Sequence, residues 1–484
     1  MNSHGNEVSP SPQRLKKGAI GPIGLAALAI GLLSPALGMY ALWPPIQLLA
    51  GPIAPLVFGC ALLIALPTAI SYAALNSEAP SAGCGSTWLW RALSPSAGYL
   101  LGLTMTTYLT IGAIAQPLIF GLFAQDLLAF LGYDINGTTT MFAAILVATV
   151  PVYWLTRRGA DTSVRTAVIL MTVESIVVVA LALTILYVKG KQPGGIQLGP
   201  FNPAHGVGGL TGFWSALILG VLGFAGFDVV STAAEETNSP RRQIPTATLL
   251  AVTGVGVFWI LNSWVYTLAL PPSVIAEYTT KGMTAVTPMA RHYWGPGNVL
   301  IILTAFTGIT AIYISSIIAS SRLIFALARH GLLPHSLAAL HPTYRVPSRA
   351  MRAIFVLVAL TSVVTILALG SGIAGFLWWS NVQCFFLAIT FMGVNLSNIL
   401  YFYRVIRDRF RWGVNFLIPV LGILINLGLL YEAFLKPMLD SDTAGGHSVL
   451  IFSVGLMALW VACTLAVKRF MPRRLQGEPP ISVR

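Results

Sequence analysis

Stretches of about 20 apolar residues recur along this chain, and a helix of that length crosses about 30 Å of hydrocarbon. Bounded by charged or turn-forming residues, they lie near 20–45, 52–75, 97–125, 139–156, 164–188, 211–232, 246–270, 297–327, 351–370, 375–402, 414–436 and 447–467. A length of 484 residues would otherwise suggest several soluble domains. Composition overrides that: 56% of residues are hydrophobic and 9% charged, against roughly 25% charged in soluble domains. The mean hydropathy is +0.79. The sequence therefore predicts an all-α polytopic membrane protein with twelve transmembrane helices.

The net charge of +13 first suggests an acidic partner such as nucleic acid. Its placement points elsewhere. Basic residues gather in short clusters between apolar runs, as at Arg14-Lys16-Lys17, Arg241-Arg242 and Arg404-Arg407-Arg409-Arg411. Such clusters mark cytoplasmic loops. With both termini cytoplasmic, only Lys189, Lys191, Lys281, Arg291 and Lys436 of the 28 basic residues fall outside. The charge is a topology signal and implies a lipid bilayer, with no nucleic-acid partner. Residues 1–19 form a polar cytoplasmic tail without the pattern of a signal peptide.

Cys60, Cys84, Cys384 and Cys463 show no metal-ligand spacing, and the histidines lie in loops without such spacing. Neither a metal nor a cofactor is expected. No Walker A, HExxH or GxSxG element occurs, so the chain does not read as an ATP-driven pump or an enzyme. A channel would need a filter or a charged ring, which the sequence does not show.

Two apolar runs are interrupted. The first span contains IGLLSPALGMY, where Pro35 cannot donate a backbone hydrogen bond and clashes with the preceding turn. The sixth contains GVLGFAGFD, with Gly220, Gly223 and Gly226. Freed backbone groups are tolerated at membrane depth only where protein or a watery cavity satisfies them. Paired interruptions at corresponding positions point to a transporter binding site. The candidate substrate-binding residues are therefore Ser34, Pro35, Ala36, Leu37 and Gly38 in the first span, and Gly223, Phe224, Ala225, Gly226 and Phe227 in the sixth. Broken ends offer N–H groups to an anion and carbonyls to a cation, which suits a zwitterion. Phe224, Phe227 and Tyr108 can close over a substrate or stack on its amine. Trp378-Trp379 reads more readily as an interfacial pair.

Two acids stand inside spans, Asp228 in the sixth and Glu174 in the fifth. A charge at the bilayer centre costs at least about 2.5–3.5 kcal/mol, so such residues face a cavity or a partner. Both are candidate coupling or gating groups. Glu432, near the end of the eleventh span, can snorkel to the interface. Glu235-Glu236 and Arg241-Arg242 are expected to pair at the cytoplasmic exit.

The stretch GFAGFDVVSTAAEETNSPRRQIPTA resembles the sixth span and following loop of the amino acid–polyamine–organocation transporter superfamily. SYAALNSEAPSAGCGSTWLWRALSPSAGYLLG is similar to its second span, re-entrant helix and third span. ISSIIASSRLIFALARHGLLPHSL with HPTYRVPSRA is similar to its eighth span and loop. The resemblance covers most of residues 15–410. It implies a LeuT-type fold, with 20–188 and 211–402 as 5+5 inverted repeats. Two peripheral spans at 414–467 and a cytoplasmic tail at 468–484 follow. It also implies alternating access at the two broken helices.

The first span departs from the Gly-Ser-Gly-like run common in the family, which leaves the mode of carboxylate binding open. In parts of the family, the fifth-span region of Glu174 carries a lysine whose ammonium stands in for sodium. Ser315 and Ser316 resemble the hydroxyl pair facing that site. The resulting expectation is a secondary active transporter of amino acids in the cytoplasmic membrane. It would be driven by a proton, or alternatively by sodium, or would work by exchange. A transporter of polyamines or cationic amines is the alternative, and a sensor on a transporter fold a lower-ranked one.

Overall fold

The computed structural model describes residues 22–133, 137–158, 160–271, 273–274, 277, 285–436, 444–471 and 475. The expected N-terminal tail and most of the C-terminal tail lie outside these residues. The described residues form helices and no strand. Among the described residues, eleven helical runs are long and apolar enough to cross a bilayer. The first of them, Gly24–Glu78, is 55 residues long, more than twice what one crossing requires. It holds both the first and second expected spans, and the chain turns between them at Gly51, where φ is 69°.

The first span is built from Pro22–Leu33, Pro35–Leu37, Gly38–Leu42 and Trp43–Ala50. The second is Ala54–Glu78 and the third Pro95–Phe130. The short helix Cys84–Ala92 between them is tied down where the Trp88 indole donates to the Ala79 carbonyl at 2.7 Å. Gly137–Arg157 and Ala160–Gly190 are the fourth and fifth spans. The sixth divides into Gly209–Gly223 and the tighter helix Phe227–Glu236. Pro240–Ala269, Val299–Arg329, Ser348–Leu369 and Gly372–Arg404 are the seventh to tenth. The eleventh runs through Gly413–Leu417, Ile418–Leu430 and Tyr431–Leu435, and the twelfth is Ala444–Phe470.

Both interruptions fall where the glycines and proline place them. A residue before proline is pushed out of the helical region, and Ser34 stands at φ 38°, ψ 96°. Its hydroxyl accepts the Leu37 amide at 3.2 Å and so caps the helix that restarts at Pro35. In the sixth span the helix ends at Gly223 and restarts at Phe227. Between them Gly226 has φ 115°, open to glycine without steric cost.

The packing has a regular relation. The N-terminal half of the first span lies on the C-terminal half of the sixth, the second span on the seventh, and the third on the eighth. Each of these spans thus meets the one five places later. The third span is a central post, packed on the eighth and tenth and buried along most of its length.

Candidate functional site

The two interruptions face a common space. A cavity of about 70 Å³ lies between the first, third, sixth, eighth and tenth spans. Of the residues singled out from the sequence, Leu37, Gly38, Tyr108, Gly223, Ala225 and Ser316 line it. No Asp, Glu, Lys, Arg or His among the described residues does so. Nor, among the described residues, do three His, Cys, Asp or Glu side chains come together as a metal-ligating group.

Ser34, Pro35 and Ala36 lie beside the cavity rather than in its wall. Ser34 directs its hydroxyl proton to Glu174 Oε1 at 2.9 Å. The same oxygen caps the Leu37 amide, so both sides of this hydroxyl are used. Glu174 is completely buried, and its Oε2 has no hydrogen-bond partner. From the eighth span, Gly308 comes closest: a Cβ there would run into Glu174 Oε2 and stand 2.9 Å from Ser34 Oγ. The fifth-span acid therefore sits at the first span's break, with the eighth span behind it. Ser315 and Ser316 are about two turns further along that helix, about 10 Å. Ser316 lines the cavity, and the Ser315 hydroxyl is buried without a partner.

At the other break, Asp228 opens the restarted helix, where a carboxylate complements the N-terminal end. It is 1% exposed. Its Oδ2 accepts the Tyr72 hydroxyl at 3.2 Å and also the Tyr108 hydroxyl, while Oδ1 has no partner. One turn after Tyr72, Asn76 donates to Ser231 Oγ at 2.8 Å. Two polar residues of the second span thus hold the C-terminal half of the sixth.

Phe224 and Phe227 behave differently from the occluding role read from the sequence. Both are completely buried and absent from the cavity wall. Phe224 meets Trp259 edge to face, with centroids 5.1 Å apart. Phe227 packs between Tyr72 and Phe391. The turn at Gly226 carries them away from the space, and a Cβ on Gly226 itself would collide with Leu32. Trp378 and Trp379 donate to Ser448 and Thr365, anchoring the tenth span to its neighbours.

At the end of the sixth span, Glu236 pairs with Arg322 of the eighth at 2.5 Å, both side chains deeply buried. The sequence suggested Arg241-Arg242 as partners. The structure instead puts Arg322 in the protein interior, where the eighth span packs against the C-terminal half of the sixth. The side chain of Glu235 lies outside the described residues. Glu432 pairs with Lys436 one turn on, at 3.0 Å, near the end of its span.

Tyr72, Asn76, Gly308, Trp259 and Arg322 went unrecognised as site residues. The i,i+4 spacing of Tyr72 and Asn76 in an apolar span was the available signal. For Gly308 and Trp259 none existed, since small and aromatic residues are common in membrane helices.

Residues 20–463 match the model of a family described as amino acid permease. Among curated relatives, the branched-chain amino acid permease BcaP of Bacillus subtilis is 27% identical over 350 residues, 70% of this chain and 72% of that protein. A methylthioribose transporter of the same organism is 28% identical, over 62% of this chain and 65% of its own length. The low-affinity putrescine importer PlaP of Escherichia coli is 25% identical, over 76% and 78% respectively. Similarity at this level thus extends to proteins named for three different cargo chemistries. Their common ground is membrane transport, and the match to the family model spans nearly the whole chain. This protein belongs to the amino acid permease family.

Proposed function

We propose that the chain moves a small neutral amino acid across the cytoplasmic membrane by alternating access, with both termini on the cytoplasmic side and the 5+5 repeats rocking about the cavity. The observation that carries this reading is the wall of the cavity, which joins both helix breaks and contains no charged side chain. A polyamine or a cationic amino acid carries a fixed positive charge beyond the zwitterion, and burying such a charge without a paired anion is costly. The two nearby acids are already engaged outside the wall, Asp228 by two phenols and Glu174 by Ser34.

Glu174 is the coupling group in this reading. A carboxylate in a fully enclosed site is far costlier than the neutral acid. Its position beside the first-span break links proton loading to the geometry of Ser34. Asp228 with Tyr72 and Tyr108 forms the gate beneath the cavity.

Uptake into proteoliposomes tests the proposal. Labelled alanine, serine, valine and putrescine are offered with and without an inward proton gradient. Saturable, gradient-stimulated uptake of neutral amino acids is the expected result. Uptake of putrescine alone favours the amine reading, and binding without flux favours a sensor.

A further inference from the structure

The cavity wall opposite the first span is polar in a way the proposed function does not use. On the third span, Gln116 follows Gly112 by one turn; on the tenth, Ser380 and Gln383 share a face. Gln116 is 4% exposed and donates its amide to the Gly112 carbonyl at 2.9 Å, leaving Oε1 without a partner. Ser380 is 1% exposed, and its hydroxyl has no partner either. Both side chains line the same cavity. The missing side chain of Gly112 admits two further polar ends: a Cβ there would stand 2.8 Å from Gln383 Nε2 and 3.7 Å from Ser316 Oγ.

Buried polar groups are ordinarily hydrogen-bonded, and each exception calls for an explanation. Two exceptions in the wall of one uncharged cavity indicate a ligand that supplies the missing bonds. We infer that Gln116 and Ser380 form a side-chain subsite for a hydroxyl group, and that the transported amino acids are small hydroxy-amino acids of the serine and threonine type. A hydroxyl can donate to Gln116 Oε1 while accepting from the Ser380 hydroxyl, which satisfies all three groups. An aliphatic side chain of equal size leaves both protein groups dry and unpaired. Volume points the same way. At about 10–15 Å³ per enclosed water, 70 Å³ holds about five to seven waters. Serine has that many non-hydrogen atoms and threonine one more, whereas amino acids with amide or guanidinium side chains exceed it by two or more.

This inference rests on the proposed transport of a neutral amino acid, and one experiment separates the two. The full chain in proteoliposomes is given labelled serine or alanine, which differ only by the hydroxyl. The expected result is a serine-to-alanine ratio of kcat/KM of at least ~10, as a site built to bond a hydroxyl rejects the analogue lacking it. In Ser380→Ala and in Gln116→Leu the ratio falls toward one, whatever the absolute rate. Ser380→Thr, which keeps the hydroxyl, retains it and guards against a purely structural effect. Equal handling of serine and alanine by the unaltered protein overturns the subsite and leaves the transport reading standing. A ratio unchanged in both Ser380→Ala and Gln116→Leu does the same. Failure to take up any amino acid overturns both.

Discussion

The two helix breaks solve one problem in different ways. At each, a fully buried acid has one oxygen bonded and the other without a partner: Glu174 Oε2 and Asp228 Oδ1. In the first span, proline forces the break, a serine hydroxyl caps it, and the acid arrives from another helix. In the sixth, glycine permits the break, the acid belongs to the restarting helix, and two phenols from the second and third spans hold it. The C-terminal half of the sixth span has a further tether in Glu236–Arg322. The difference lies in which side chains reach each acid: two phenols from other spans at the sixth break, and at the first a single hydroxyl that is itself a cap. The proposed function gives proton exchange to the first break and mechanical latching to the sixth.

The largest effect that can break this comparison is at Glu174. In Glu174→Gln the amide oxygen still accepts from Ser34, so the fold is retained. Gradient-stimulated uptake is expected to fall to the level without a gradient, while counterflow exchange continues. Uptake that still responds to a pH gradient would remove Glu174 from coupling. Next comes the buried ion pair. Arg322→Met leaves Glu236 unpaired, and losing one partner of such a pair costs about 3–5 kcal/mol. A clear drop in the thermal unfolding midpoint is expected, with partial recovery in Arg322→Met combined with Glu236→Gln.

Tyr108→Phe sharpens the latch. A hydrogen bond to a charged group contributes about 1.5–3 kcal/mol, so uptake should change by about 10- to 100-fold while its gradient dependence persists. If gradient dependence vanished instead, the assignment of roles would be reversed. The smallest effect is at Gly308. Gly308→Ala crowds Glu174 and Ser34, and overpacking of this kind costs about 1–3 kcal/mol. Here a shifted pH profile of uptake is the readout, and an unshifted profile would argue against coupling at this position.

How much of this was legible in the sequence follows from the range of the interactions. Apolar run length, Pro35 and the glycines of GVLGFAGFD act locally, and the helices and both breaks stand where those residues put them. The isolated acids were legible for a similar reason, since an Asp or Glu in a long apolar run demands an explanation by itself. Partners were not, because Tyr72, Tyr108 and Gly308 reach their acids only through the crossing of separate helices. The ring contacts of Phe224 and Phe227 with Trp259, Tyr72 and Phe391 were not legible for the same reason, since they too depend on how separate helices cross. The Glu236–Arg322 pair was not legible because a one-dimensional pattern cannot show which helices meet.

Trp259 of the seventh span has a mechanical consequence. Its indole donates to the Pro35 carbonyl at 3.0 Å, and its ring rests on Phe224. Gly38 and Gly223 leave room for the ring from either side, since a Cβ on each would meet it. One side chain thus serves as a shared bearing for both interrupted helices. Any stroke that drew the first and sixth spans apart at this level would strip a buried N–H of its acceptor and open a void around the largest side chain there is. Under the alternating access proposed above, spans one, six and seven would therefore travel together as a single lever against the third, eighth and tenth.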